Sequence, residues 1–393
     1  MSLKIRKDEI LPILLLSLAF SSTISAAHIN PLFGYIVVFC MSGCGLARSI
    51  IHKKKNRINK IGSIIVQGNF YIKVIIHVYS IVLIMLGLTE SRFFSYNIQT
   101  YINALSAIGV FYLYKERTLH IGTTALLFSF LIAIICQIGT GNIAVHDLSF
   151  GAEYILIYIF VVLGKLDRKN IKWVLLATAI LMVSNKDIQV LGFILIMILY
   201  ALTKRFDAKD KEKILNVVSL IGVFGIYLFV FLVVDGNFFE ILARYGIKTS
   251  GRNYYYKVAR DLAGFNLGFL GIGRNGMQVL MGSDYSYMHV GNIHSDILRM
   301  YCECGFVVFF LWIINYFVVL PHLIKNKYGV DAKIGYLFLT YFTFISYLTD
   351  NMELYLVSQF FYILTIIFTC LYKGTLWNYT GFNDYRMGRK VRK

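Results

Sequence analysis

The sequence predicts an all-α integral membrane protein of about twelve transmembrane helices, and three observations predict it. Of 393 residues, 58% are hydrophobic and only 15% charged, whereas a soluble domain carries about 25% charged residues. The apolar residues gather in blocks near the roughly 20 residues that a helix needs to cross a hydrocarbon core about 30 Å thick. Short basic stretches separate the blocks. Together these exclude a soluble enzyme, a disordered chain and a secreted disulfide scaffold.

Ten blocks run 10–27, 32–51, 70–89, 98–114, 121–138, 151–164, 214–234, 297–320, 334–349 and 354–372. Residues 171–184 and 188–202 are shorter, on either side of Asn185-Lys186-Asp187. A 14-residue helix rises only about 21 Å, short of the core. Basic clusters flank the pair on both sides, so an even number of crossings is required. Two short helices meeting on the outer side are expected, which brings the total to twelve. Lys186 and Asp187 then lie below the outer surface, in a water-filled cavity or as a neutral pair in a tight turn.

The charges between blocks set orientation. Lys53, Lys54, Lys55, Arg57 and Lys60 separate the second and third blocks, and Lys115 and Arg117 the fourth and fifth. Lys165, Arg168, Lys169 and Lys172 come next, then Lys204, Arg205, Lys209, Lys211 and Lys213, then Lys325, Lys327 and Lys333. With the two tails, these even-numbered connections hold 28 of the 39 basic residues. Lys and Arg stay on the cytoplasmic side, so both termini are predicted cytoplasmic. The net charge of +18 is thereby explained by topology, and no nucleic-acid partner is needed.

Ser25-Ala26-Ala27 after the first block resembles a signal-peptide cleavage site, but with eleven further spans an uncleaved first helix is expected. The six cysteines lie in or beside apolar blocks in no metal or disulfide spacing, and read as small buried hydrophobes. No G-x-x-x-x-G-K-S/T segment is present, so nucleotide binding of that kind is not expected. Neither a metal nor another cofactor is predicted.

The chain divides into helices 1–9 over residues 1–234, a large extracytoplasmic loop over 235–296, and helices 10–12 with a basic tail over 297–393. From 235 to 293 no block is long enough to span. This stretch carries Arg244, Lys248, Arg252, Lys257, Arg260 and Arg274, with Tyr254, Tyr255, Tyr256, Tyr285 and Tyr287. Such a length of loop is uncommon unless functional, and its cations oppose the positive-inside bias. The alternative is a translocated segment whose charges are neutral to insertion. Thr249-Ser250-Gly251-Arg252-Asn253 presents one arginine after a small-residue turn. Leu267-Gly268-Phe269-Leu270-Gly271-Ile272-Gly273-Arg274-Asn275 delivers another. Glycine permits close backbone approach to a ligand and arginine forks onto two phosphate oxygens, so an anionic ligand, with diphosphate the natural candidate, is expected.

At the start of the tenth span, Asp296, Arg299 and Glu303 share one helical face. Ionisable residues inside a span are functional candidates; the alternative is an internal ion pair that orients the helix. His294 sits at the helix mouth, where a neutral imidazole accepts a proton near pH 7, and it reads as a general base. His77, alone in the third span, reads as structural. Lys186 is a candidate to join the arginines on the same anion.

These features resemble the O-antigen and capsule polymerase and ligase superfamily, the Wzy-type polymerases and O-antigen ligases. The resemblance rests on His294-Ser295-Asp296-Ile297-Leu298-Arg299-Met300-Tyr301-Cys302-Glu303-Cys304-Gly305 at the helix after the large loop, and on Ser250-Gly251-Arg252 within it. Ser184-Asn185-Lys186 is only similar to the family's serine–arginine pair, with lysine for arginine. The organisation matches from about the fifth span onward. The resemblance implies a GT-C-like, metal-independent glycosyltransferase in the bacterial cytoplasmic membrane. Its substrates would be polyprenyl-diphosphate-linked oligosaccharides, with a chain-length regulator and a flippase as candidate partners beside membrane lipid. It further implies that Arg252 and Arg274, assisted by Lys186 or Arg299, hold the leaving diphosphate. His294 would deprotonate the acceptor, and Asp296 or Glu303 would set the geometry. Arg244 is a further candidate for binding substrate, and Tyr255 and Tyr256 for stacking on sugar rings. Two alternatives stand beside the polymerase. One is a ligase moving a finished glycan. The other is a flippase or transporter of lipid-linked sugars, for which inverted repeats would be expected.

Overall fold

A computed structural model of the chain describes residues 5–23, 29–51, 57–88, 95–140, 146–163, 171–184, 187–206, 208–246, 252–282 and 293–373. Within them every regular element is helical. In order these are α1 Lys7–Ser21, α2 Pro31–Ile51, α3 Arg57–Met85, α4 Ser95–Tyr114, α5 Thr118–Thr140, α6 His146–Ile157, α7 Ile171–Ser184, α8 Asp187–Thr203 and α9 Ala208–Val234. Then follow α10 Asn237–Arg244, α11 Arg252–Leu262, α12 Gly276–Gly282, α13 Asp296–Ile314, α14 Leu320–Tyr328, α15 Val330–Tyr347 and α16 Leu356–Lys373. Two π-helical segments, Tyr158–Leu163 and Asn315–Val319, extend α6 and join α13 to α14.

Each of the twelve apolar blocks overlaps a helix within its described residues. Among the described residues four stretches are long and apolar enough to cross a membrane: Pro31–Arg48, Gln99–Cys136, Asp210–Val234 and Asp296–Tyr328. The second of them contains α4 and α5, divided by a 3-10 turn at Lys115–Arg117 where Lys115 takes φ 54°. Tyr71–Met85, Leu148–Val161, Ile171–Ser184, Asp187–Thr203 and Leu356–Leu371 are shorter apolar helices. The expected pair of short helices around position 185 is present as α7 and α8; Asn185 and Lys186 themselves lie outside the described residues. The 235–293 stretch is not an open loop, because it contains α10, α11 and α12.

Burial separates a central layer from a peripheral one. Along α16 the described side chains are buried all round, from Leu356 to Leu371, as for a helix in the middle of a bundle. It packs against α4, α6 and α15. On α8 and α9, by contrast, Leu191, Ile198, Leu220 and Phe224 are exposed apolar residues, which suits a hydrocarbon surround. Close crossings use small residues, as membrane helices do. A Cβ built on Gly45 of α2 would lie 1.9 Å from the carbonyl oxygen of Gly109 on α4. Buried hydroxyls bond back along their own helices, as Thr365 donates to the Phe361 carbonyl at 2.7 Å, so no partner helix has to satisfy them.

Candidate functional site

The site is organised by a break in α13. Gly305 adopts φ 71°, ψ 178° inside this helix, a conformation essentially restricted to glycine. The break frees carbonyls and an amide that no water in a bilayer could satisfy. The segment preceding Arg274 runs alongside and satisfies them. Phe306 N–H donates to the Phe269 carbonyl at 2.9 Å, Ile272 N–H to that of Cys302 at 2.9 Å, and Gly273 N–H to that of Glu303 at 3.0 Å. The contact is backbone on backbone. A Cβ on Gly271 would fall 2.5 Å from the Gly305 nitrogen, and one on Gly305 only 2.3 Å from the Leu270 carbonyl carbon. The close approach that the Gly-rich segment permits is therefore to α13, and it fixes where Arg274 enters the core.

Arg274 is buried, and both terminal nitrogens of its guanidinium are occupied. Nη1 donates to Glu303 Oε2 at 2.9 Å and Nη2 to Glu353 Oε2 at 2.9 Å. Met300 Sδ lies 2.8 Å from Nη1, and the Arg274 amide donates to Ser80 Oγ of α3 at 3.1 Å. Arg299 Nη2 bridges Asp296 Oδ1 at 2.6 Å and Glu353 Oε2 at 2.8 Å. Lys73 Nζ of α3 reaches Glu353 Oε1 at 2.5 Å, and Asp296 Oδ2 accepts the Glu353 backbone N–H at 2.7 Å. Three cations thus meet three carboxylates, all buried. Formal charge in this cluster sums to zero. Glu353 is its centre: burial disfavours its charge, but Lys73, Arg274 and Arg299 outweigh burial and hold its carboxyl well below the usual range.

The mouth of α13 lies above this cluster. Ser295 caps the helix, accepting the Leu298 N–H at 3.3 Å while donating to the Tyr347 carbonyl at 3.1 Å. Ser295→Ala is expected to cost about 1–2 kcal/mol through the lost cap, measured as a lower midpoint of thermal unfolding in detergent. His294, half-buried, sets its ring 5.4 Å from that of Tyr255 on α11. The neighbouring Tyr256 donates to the Leu348 carbonyl at 2.7 Å, and burial pushes its phenol up while the nearby Arg252 opposes the shift. Arg252, half-buried at the first position of α11, forms no ion pair among the described residues.

The sequence-predicted residues therefore fall into two groups. Asp296, Arg299, Glu303 and Arg274 come together in the buried cluster, with Glu303 paired to Arg274 and not to Arg299. His294, Tyr255, Tyr256 and Arg252 meet at the mouth. Arg244 is exposed in the last turn of α10, in neither group. Lys186, Lys248, Tyr285 and Tyr287 lie outside the described residues. Sequence reasoning missed Lys73 and Glu353. A lone lysine inside an apolar block was the available signal, because such a charge requires a buried partner. Among the described residues no three His, Cys, Asp or Glu side chains gather as metal ligands; the cluster's carboxylates are interleaved with cations.

Comparison with protein-family models, curated proteins and solved structures returned no match.

Proposed function

We propose that the chain is a Wzy-type polymerase of the cytoplasmic membrane of a bacterium, joining polyprenyl-diphosphate-linked oligosaccharide units on its outer face. On this reading all twelve apolar helices cross, both termini are cytoplasmic, and residues 235–296 are extracytoplasmic. The observation that carries it is the juxtaposition of His294 with Tyr255 on the helix that begins at Arg252, beside a rigidly fixed α13. An acceptor hydroxyl gives its proton to the His294 imidazole as its oxygen bonds to the donor sugar's anomeric carbon. The bond from that carbon to the diphosphate oxygen breaks, and the lipid diphosphate leaves with the electron pair.

Charge arithmetic divides the work among the cations. Arg274 and Arg299 belong to a neutral cluster, and either could serve a second anion only at the expense of its carboxylates. Arg252 is the cation at the mouth and is assigned to the diphosphate, where negative charge develops. The buried cluster positions: it locks the 269–274 segment, the 350–353 turn, α3 and α13 into one unit.

His294→Ala should lower chain growth about 10²–10⁴-fold, the range for loss of a general base, and Arg252→Ala about 10²–10³-fold. Both variants should stay folded in the membrane. The measurement is gel analysis of polysaccharide made in proteoliposomes from lipid-linked repeat units. Full activity in His294→Ala would remove the base from the mechanism. In cells, deletion should leave single repeat units at the surface. Long chains left on carrier lipid would instead favour a ligase, and repeats trapped inside a transporter.

A further inference from the structure

A cavity of about 150 Å³ lies at the end of the bundle opposite the α13 mouth. Tyr200 and Thr203 at the end of α8, Lys204 just beyond it, Lys211 in the first turns of α9, and Asp331 and Ile334 of α15 line it. Its volume is well above the roughly 10–15 Å³ that a single water needs on this measure. Lys204 Nζ lies 4.6 Å from the centre of the Tyr200 ring.

What distinguishes these two lysines is that they have no anionic partner among the described residues. Around them, Lys213 pairs with Asp210 at 3.9 Å, Lys325 with Glu212, and Lys333 donates to Asn216 Oδ1 at 2.7 Å. Neither Lys204 nor Lys211 forms an ion pair among the described residues, although Asp331 lines the same cavity. Asp331 has a role of its own in the first turn of α15, where a carboxylate complements the helix dipole. Among the described residues that line the cavity, two ammonium groups therefore stand against one carboxylate already suited to its helix.

We propose that this cavity binds a phosphate group, that of an anionic lipid head group in the membrane, with the Lys204 and Lys211 ammonium groups donating to its oxygens. The site is independent of the chemistry assigned to His294.

The test uses the full chain in phosphatidylcholine nanodiscs containing a minor fraction of phosphatidylglycerol, read by native mass spectrometry. The wild-type protein should retain phosphatidylglycerol. A Lys204→Gln, Lys211→Gln double variant should bind it roughly tenfold to thirtyfold more weakly. Lys213→Gln, which removes the same charge outside the cavity, should retain it. Lys204→Gln alone, at an exposed position, gives a second reading that does not depend on the double variant folding. A parallel arm adds inorganic phosphate to protein in pure phosphatidylcholine and follows thermal stability. Stabilisation that the double variant loses, without lipid retention, would assign the same cavity to free phosphate. Equal phosphatidylglycerol retention in all variants, together with no phosphate effect, overturns the proposal.

Discussion

Glu353→Gln should destabilise the protein by about 3–5 kcal/mol, the loss seen when one partner is removed from a buried ion pair. The carboxylate takes charge from Lys73, Arg274 and Arg299 at once, so the neutral amide leaves the cluster with one buried cation in excess. A second substitution turns this into a test of charge balance. Lys73→Met in the Glu353→Gln background removes the excess cation and leaves two pairs standing, Arg274 with Glu303 and Arg299 with Asp296. The double variant should recover much of the lost stability although two native partners are gone. Unfolding midpoints in detergent measure both. A double variant no more stable than Glu353→Gln alone would show that individual contacts, and not neutrality, hold the site. The sign of the pH dependence follows too. Because the folded carboxyl titrates below its ordinary value near 4.5, its stabilisation is complete above that value and is lost as pH falls towards the folded one.

Gly305→Ala should be comparably damaging for a different reason. The backbone conformation alone costs a non-glycine residue about 1–3 kcal/mol, and the added carbon would sit 2.3 Å from the Leu270 carbonyl carbon. Neither neighbour can yield, because both are main chain. The expected result is release of the 269–273 segment from α13, three buried hydrogen bonds broken, and Arg274 withdrawn from its carboxylates. Protease cleavage between 267 and 275, absent in the wild type, would report it. Gly225→Ala is the matched control, since a Cβ there meets nothing within 4 Å and should leave stability unchanged.

Much of the helical order was legible because a bilayer leaves a backbone few options: each apolar block became a helix. The Asp296–Arg299 pair was legible because three residues on a helix are neighbours. The Arg274–Glu353 pair was not. It joins residues 79 apart, and no local rule connects a Gly-rich segment to a short turn after α15. The glycines were read as letting the backbone approach an anionic ligand; in the structure what they approach is the backbone of α13, which sequence pattern does not name. The π-helical segments at Tyr158–Leu163 and Asn315–Val319 escaped for a similar reason, since one extra residue per turn leaves no mark on composition.

The reach of Glu353 also sets a schedule for biogenesis. Lys73 and its partner are 280 residues apart, so at about 5–20 residues per second the lysine leaves the ribosome roughly 14–56 s before the carboxylate exists. During that interval α3 must reside in, or wait beside, the insertion machinery with an uncompensated ammonium. Arg274 waits too, for Glu303 a short time and for Glu353 longer. The turn between the last two helices therefore completes the neutralisation of charges delivered by the earlier ones. A chain truncated before residue 353 should be held by quality control at the membrane, even though almost all of its apolar helices have already been made.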